Sequence, residues 1–276
     1  MHRHDLTGRH AILTGGSSGI GKATARLFAR AGSHVTIIAR DPVKLEAARV
    51  EISGEQVSPQ QRVAALSADV ADWVQMESAM VHSIEQIGPP DILVTSAGIA
   101  ACGYFTELPL ALFHQAMATN YFGTLHAIRA ALPAMERQHR GHIVLLSSGA
   151  GLVGIYGYAP YSPTKFAVRG LGESLRAELR PRGIHVSIVY PPDTDTPQLE
   201  QENRTKPLET KMITGTAGIW SADAVAQAIV RGIARGSFTI TPGPQMALLG
   251  RLHSLLAPAL SRYFDRLATR ARRTRS

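Results

Sequence analysis

The chain has 276 residues, enough for one large α/β domain or two small ones, and its composition is that of an ordinary globular protein. Its single cysteine, Cys102, excludes an internal disulfide and a metal site built from cysteines, and its start lacks the apolar core of a signal peptide. Of the net charge of +8, most lies in residues 251–276, which carry seven arginines against one aspartate, so the nearly neutral body lacks the basic stripe that nucleic-acid binding requires.

The first predicted strand, residues 10–14 (HAILT), runs directly into a glycine-rich turn and then a helical pattern that ends near Gly32. In this context backbone N–H groups and a helix N-terminus can bind a pyrophosphate. The spacing, T-G-x-x-x-G-x-G, differs from the familiar G-x-G-x-x-G pattern. A tight turn without a ligand is the alternative. We predict cofactor contacts from the following residues of the turn: Gly15, Ser17, Ser18, Gly19, Ile20 and Gly21.

The second predicted strand, residues 34–39, ends at Arg40. An acid at this point commonly binds the ribose diol of NAD, whereas an arginine can bind the 2′-phosphate of NADP. Asp41 follows one residue later and is expected to be out of register for the ribose. We therefore predict NADPH as the cofactor, bound in part by Arg40. The alternative is that Arg40 is an ordinary solvated cation.

Helices and strands continue to alternate with short loops: a helix at 42–53, a strand ending at Asp69 and Val70, a helix at 72–87, and a strand ending before Ala97 and Gly98. This pattern predicts an α/β, Rossmann-type doubly wound parallel sheet of about seven strands, with helices on both faces, in a single domain over residues 1–243. Ligands of such sheets lie beyond the carboxyl ends of the strands. We therefore predict that Asp69, Val70, Ala97 and Gly98 contact the cofactor.

Four polar residues in the second half are candidates for catalysis. Asn120 lies in a helical pattern over 113–137 and is costly to bury unless its amide is bonded, so by itself it is more typical of a structural residue. Ser148 follows the buried strand HIVLL, and Tyr161 and Lys165 lie one helical turn apart. A hydroxyl, a phenol and an ammonium can together polarise and protonate a carbonyl. The ammonium is expected to lower the pKa of Tyr161 toward neutrality.

Residues 14–21, the Ala97-Gly98 pair, Asn120, Ser148 and the Y-x-x-x-K at 161–165 together resemble the short-chain dehydrogenase/reductase family over residues 8–241. The resemblance implies that Tyr161 is the general acid/base and that Lys165 lowers its pKa and binds the nicotinamide ribose. It also implies that Ser148 binds the substrate carbonyl and that Asn120 holds a water that relays protons to Lys165.

A sixth strand is predicted to end at a loop that begins Pro191-Pro192, where the family usually has Pro-Gly. The resemblance places this loop beside the nicotinamide, with Pro191 and Thr194 as cofactor contacts. A second departure is Ser96, which replaces the usual asparagine before Ala97. The polar residues 193–213, with two short helical runs, are expected to form a substrate lid.

Residues 190–213 are also similar to the corresponding segment of 3-ketodihydrosphingosine reductases. This resemblance implies NADPH-dependent reduction of 3-ketosphinganine, a long-chain lipid ketone, to sphinganine in sphingolipid biosynthesis. Two alternatives stay open: a reductase of another lipophilic ketone, such as a steroid, a retinoid or a different 3-keto lipid, and a non-catalytic nucleotide-binding regulatory protein. The family resemblance further implies a homo-oligomer, a dimer or a tetramer.

The C-terminal segment, residues 244–276, has apolar residues at steps of three and four, which predict an amphipathic basic helix, bent or restarted at Pro258. Leucines on one face and arginines on the other are typical of a helix on a membrane surface. The alternative is a helix docked on the body or on a second subunit. We expect a cytoplasmic protein with peripheral contact to the cytoplasmic face of the membrane.

Overall fold

The computed structural model describes residues 6–215 and 218–273 and contains a parallel sheet with helices on both faces. Its strands are β1 (His10–Thr14), β2 (His34–Ala39), β3 (Val63–Ser67), β4 (Ile92–Thr95), β5 (Gly141–Leu146), β6 (Ile184–Val189), β7 (Thr194–Asp195), β8 (Trp220–Ser221) and β9 (Thr239–Ile240). The main sheet has the order β3-β2-β1-β4-β5-β6-β9, and every pairing in it is parallel. The predicted doubly wound sheet of seven strands is therefore confirmed.

Helices follow the strands as expected of β–α units. They are α1 (Gly19–Arg30), α2 (Pro42–Ser53), α3 (Trp73–Ile87), α4 (Leu110–Met117), α5 (Gly123–Arg137), α6 (Ser162–Leu179), α7 (Pro197–Thr205), α8 (Leu208–Thr214), α9 (Ala222–Ala234) and α10 (Pro244–Arg273). Since the strand order reverses between β1 and β4, the crossovers diverge there and leave a crevice at the carboxyl edge of the sheet.

Two hydrophobic cores cover the two faces of the sheet. On one face Leu13 of β1 packs with Phe28 of α1 and Leu45 of α2. On the other face Ile12 of β1 packs with Met76 of α3 and Ile128 of α5. Successive side chains of a strand point to opposite faces. Burial on both sides explains why β1 is a continuous apolar run in the sequence rather than an alternating one.

The predicted helix over 113–137 is interrupted. α4 ends at Met117, a π-helical turn covers Ala118–Phe122, and α5 continues from Gly123. The N–H of Gly123 donates to the carbonyl of Ala118, five residues earlier, which is the hydrogen bond of a π-turn. Such turns insert one residue into a helix and re-aim its side chains, and here the inserted turn contains Asn120.

The C-terminal helix α10 is a single helix, and Pro258 lies within it without ending it, so the expected restart is wrong. The final residues of the predicted tail, 274–276, lie outside the described part of the chain. α10 packs on the body beside α8. Arg169 of α6 donates to Nε2 of His253 at 2.9 Å, and Met246 is buried against Ile188 and Tyr190. Among the described residues no helix is both long and apolar enough to span a membrane.

Candidate active site

A cleft of about 710 Å³ runs along the carboxyl edge of the sheet. Its floor comes from the ends of the strands and its roof from α7, α8 and α10. The predicted site residues that line it are Gly15, Ser17, Ser18, Gly19, Ile20, Arg40, Val70, Ala97, Gly98, Ser148, Tyr161, Lys165, Pro191 and Thr194. Three others, Gly21, Asp69 and Asn120, lie behind this lining and support it.

The glycine turn after β1 is shaped by close contacts with the turn after β4. Gly15 has a φ of +68°, and a Cβ there would lie 2.7 Å from the backbone nitrogen of Ala97. The same N–H of Ala97 donates to the Thr14 hydroxyl at 3.3 Å. A Cβ at Gly21 would collide with the carbonyl oxygen of Gly15, so Gly21 is a packing residue. The turn thus presents backbone and small side chains at the N-terminus of α1, where an anion is stabilised.

Arg40 follows β2 at the edge of the cleft, where its guanidinium lies 3.9 Å from the carboxylate of Asp69. Asp41 is committed elsewhere, because its side chain accepts from the N–H groups of Val43 and Lys44 and caps α2. Its pKa is lowered, first by the hydrogen bond from the backbone of Lys44. The Lys44 side chain also lines the cleft, and the sequence reasoning missed it.

The turn after β3 places Asp69 behind the cleft wall. Its Oδ1 accepts from the N–H of Ala71, and its own N–H donates to Gln75. Val70 is the residue of this turn that faces the cleft. A Cβ on Gly123 would collide with Val70, so the start of α5 fits tightly behind this turn. Asp69 is therefore in place to fix the turn and to pair with Arg40.

Ser148, Tyr161 and Lys165 meet at the centre of the cleft. Ser148 caps the short 3-10 turn after β5, and its Oγ accepts from the N–H of Ala150 at 3.2 Å. Tyr161 stands at the N-cap of α6, and Lys165 follows one turn later with its ammonium 5.5 Å from the Tyr161 ring centre. The Lys165 ammonium donates to the carbonyl of Leu146 at 3.0 Å. The end of β5 and the start of α6 thus bring the Ser148 hydroxyl, the Tyr161 phenol and the Lys165 ammonium together.

Burial has the largest effect on the pKa values of Tyr161 and Lys165. It raises the pKa of Tyr161 well above its ordinary value, and a hydrogen bond with Ser148 offsets only part of that rise. Burial also lowers the pKa of Lys165 to about 8. The expected lowering of the Tyr161 pKa by Lys165 is therefore not seen in the protein chain by itself, because desolvation by burial has the largest effect on this phenol and raises its pKa.

The side chain of Asn120 is fully engaged in structural hydrogen bonds. Its Oδ1 accepts from the N–H of Ile99 at 2.8 Å, and its Nδ2 donates to the carbonyl of Ile99 and to the Thr164 hydroxyl. It thereby ties the π-turn to the loop after β4 and to α6. Its main-chain carbonyl accepts from the Thr124 hydroxyl and keeps a second lone pair. This carbonyl can therefore accept a hydrogen bond from a water of the predicted relay.

The loop after β6 and the segment predicted as a lid close one side of the cleft. The carbonyl of Pro191 accepts from the N–H of Gly149 at 3.3 Å, and the Thr194 hydroxyl donates to the carbonyl of Pro192. β7 pairs with β8, and α7 and α8 complete the predicted lid. Asp193 and Glu202 from this segment line the cleft and were not singled out from the sequence.

The helix α10 supplies an apolar wall that the sequence did not assign to the site. Its residues in the cleft lining are Gln245, Met246, Leu248, Leu249, Leu256, Leu260, Tyr263 and Phe264. Their spacing of three and four was visible in the sequence, but it could not show which surface this face covers. The cleft is therefore polar at the glycine turn and apolar along α10.

A doubly wound sheet with a glycine-rich turn after its first strand and a Ser–Tyr–Lys group at its carboxyl edge defines a dinucleotide-dependent oxidoreductase. The family model of short chain dehydrogenases matches residues 9–207. The chain belongs to this family.

Named relatives extend the comparison. The chain is 42% identical over 257 residues to a 3-dehydrosphinganine reductase of Danio rerio and 39% identical over 257 residues to a 3-ketodihydrosphingosine reductase of Bos taurus. Each alignment covers 93% of this chain and 77% of the relative. Among solved structures, levodione reductase superimposes with a TM-score of 0.79 at 25% identity, over 87% of this chain and 98% of that one.

Proposed function

We propose that this protein reduces the ketone of 3-ketosphinganine to the alcohol of sphinganine, a step of sphingolipid biosynthesis, with NADPH as the reductant. The observation that carries the proposal is the apolar wall of α10, which leads along the cleft to Ser148 and Tyr161. A long alkyl chain can lie against this wall while a polar ketone end reaches the two hydroxyls. The names of the relatives agree with this substrate class.

The residues around the glycine turn fit a dinucleotide with a 2′-phosphate. Gly15 cannot carry a side chain without striking Ala97, so the backbone of the turn stays open to a pyrophosphate. Arg40 after β2 and Lys44 in α2 are exposed cations of the cleft lining. Asp41 lines the cleft as well, but its carboxylate accepts from the backbone N–H groups that it caps at the start of α2. This charge arrangement favours NADPH over NADH.

NADPH, when bound, supplies the hydride that reduces the carbonyl carbon. Ser148 and Tyr161 bind the carbonyl oxygen and stabilise the negative charge that develops there, and Tyr161 then donates its phenolic proton to it. The raised pKa of Tyr161 keeps the phenol protonated until the reaction. Lys165, fixed by the carbonyl of Leu146, holds its ammonium beside the phenol and favours the phenolate that forms.

The test is NADPH oxidation by the purified protein with 3-ketosphinganine, compared with a steroid ketone and a retinoid aldehyde at matched concentration. We expect turnover of 3-ketosphinganine and a preference for NADPH over NADH. Turnover of the other carbonyl compounds without 3-ketosphinganine would contradict the assigned substrate and favour a reductase of another lipophilic carbonyl.

We also propose that α10 holds the enzyme on the cytoplasmic face of an anionic membrane. Leu255 is 77% exposed and Leu252 is 40% exposed, next to the exposed Arg251 and Arg262. Apolar side chains between arginines suit the boundary of an anionic bilayer. Because the inner side of the same helix lines the cleft, this orientation would place the apolar end of the cleft beside the lipid. Homo-oligomer formation stays a prediction.

Sedimentation with phosphatidylserine vesicles tests the membrane contact. The double variant Leu252→Gln with Leu255→Gln removes two exposed leucines outside the cleft lining and should weaken vesicle binding at least ~10-fold, since burial of each leucine contributes about 1.5–3 kcal/mol. Val50→Gln, which removes an exposed apolar side chain of α2 rather than of α10, is the matched control and should bind as the wild type does. Equal binding by the double variant would contradict the proposal and favour a subunit contact.

A further inference from the structure

A buried network of charges lies in the lid next to the reacting groups. Lys206 pairs with Glu202 at 2.7 Å and with Asp193 at 3.3 Å, and its side chain is 1% exposed. The Tyr158 hydroxyl donates to Glu202. Burial by itself would lower the pKa of Lys206, but the ion pairs with Glu202 and Asp193 raise it above its ordinary value. Lys206 is therefore a permanent cation in this network.

The network touches the centre of the cleft. The rings of Tyr158 and Tyr161 pack edge to face with centroids 5.4 Å apart. Tyr158, Tyr161, Asp193 and Glu202 all line the same cleft, whereas Lys206 stands behind them. A substrate whose ketone binds Tyr161 therefore presents its neighbouring atoms to this group of carboxylates.

The charges of the network do not balance. Two carboxylates, Asp193 and Glu202, face one ammonium, Lys206, which leaves one net negative charge at the cleft. Glu202 is the more buried of the two, with its side chain 7% exposed against 25% for Asp193. Lys165, the other buried cation of the cleft, directs its ammonium to the carbonyl of Leu146. A buried carboxylate without full compensation is costly. A cation from the substrate would complete the pairing.

The carboxylate of Glu202 is oriented for such a ligand. Both contacts described for it, from Tyr158 and Lys206, are made to Oε1. These two partners anchor Oε1, and an anchored carboxylate loses less freedom when it binds a ligand. Its second oxygen, Oε2, can then accept a hydrogen bond from a donor in the cleft.

We propose that Glu202, oriented by Lys206 and Tyr158 and assisted by Asp193, binds the protonated amino group of a 2-amino ketone and makes the enzyme selective for ketones that carry an ammonium on the carbon next to the carbonyl. The inference rests on the proposed function, because 3-ketosphinganine has its amino group at that carbon. The inference assigns recognition of the amino group at the polar end of the lipid to Glu202. The apolar wall of α10 cannot bind a charged group.

The test compares two ketones that differ only in the amino group: 3-ketosphinganine and its 2-deamino analogue, both presented in the same detergent micelles. The wild type should reduce the amino ketone with the higher kcat/KM. Glu202→Gln should lower kcat/KM for the amino ketone by about 10- to 100-fold, mainly through KM, since it removes a hydrogen bond between charged groups. It should leave the deamino analogue almost unaffected, so that the selectivity disappears.

Glu209→Gln is the matched control. Glu209 is a second buried carboxylate of the lid, bonded to Tyr104, but it does not line the cleft. Its substitution should leave the ratio between the two ketones unchanged. NADPH binding and the thermal midpoint of each variant show whether the lid still folds, and the comparison of the two ketones on the wild type stands even if a variant does not fold.

Three results separate the possibilities. Equal kcat/KM of the wild type for the two ketones overturns the role of Glu202 and leaves the proposed function intact. Equal losses for both ketones in Glu202→Gln also overturn it, and show that the network only positions Tyr158 and Tyr161. Reduction of neither ketone by the wild type overturns the proposed function and the inference together.

Discussion

Replacing Lys165 with methionine should remove a pH-dependent penalty on the stability of the fold. The Lys165 ammonium is buried, and burial lowers its pKa from 10.5 to about 8. Between these two values the unfolded chain binds more protons than the folded protein. The free energy of unfolding of the wild type therefore rises with pH through this window, because the buried amine no longer has to be charged.

The magnitude follows from the two pKa values. At 1.36 kcal/mol per pKa unit, the charged amine costs the folded wild type about 3 kcal/mol at pH 7. At pH 9.5 most of the folded-state amine is neutral and the cost falls to about 1 kcal/mol. Methionine has similar length and no charge. The unfolding free energy of Lys165→Met minus that of the wild type should thus be about 2 kcal/mol more positive at pH 7 than at pH 9.5.

Urea unfolding followed by far-UV circular dichroism at the two pH values measures this difference. The hydrogen bond that Lys165 donates to Leu146 is lost at both pH values and cancels. Lys211→Met, which removes an exposed lysine of α8, is the control and should show no comparable change with pH. If the stability difference for Lys165→Met is the same at pH 7 and pH 9.5, the ammonium of Lys165 is not penalised by burial and the reasoning is wrong.

Three further variants test the site. Tyr161→Phe should lower kcat at least ~10²-fold with NADPH binding retained, as expected when a general acid is removed; a smaller loss would assign the proton to another group. Arg40→Asp should lower the ratio of kcat/KM for NADPH to that for NADH by about 10- to 100-fold, which corresponds to one charge-assisted phosphate contact; an unchanged ratio would leave Lys44 as the phosphate contact. Gly21→Ala should abolish NADPH binding by fluorescence titration, because its Cβ would displace the carbonyl of Gly15.

Local patterns decided most of the fold. Apolar runs with turns between them predicted β1, β2 and α2 at their observed bounds, because strand burial and helix capping depend on near neighbours in the chain. The helix α1 begins at Gly19, inside the glycine turn, and so starts earlier than the helical pattern predicted. A further exception is the helix around Asn120. Its π-turn accompanies hydrogen bonds to Ile99 and Thr164, which are distant in sequence, and so a helical period could not reveal it.

The sequence by itself also predicted that Ser148, Tyr161 and Lys165 act together. The position of Ser148 after a strand and the four-residue spacing of Tyr161 and Lys165 at the start of a helix are both local features. Only the tertiary structure decided what surrounds them. It placed Glu202 and Lys206 of the lid against Tyr158, and it turned the apolar face of α10 onto the cleft. Amphipathic spacing fixes which side of a helix is apolar, whereas the surface that this side covers depends on contacts between segments far apart in the chain. The pKa of Tyr161 also depends on the tertiary structure, since burial raises it by more than the hydrogen bond with Ser148 lowers it.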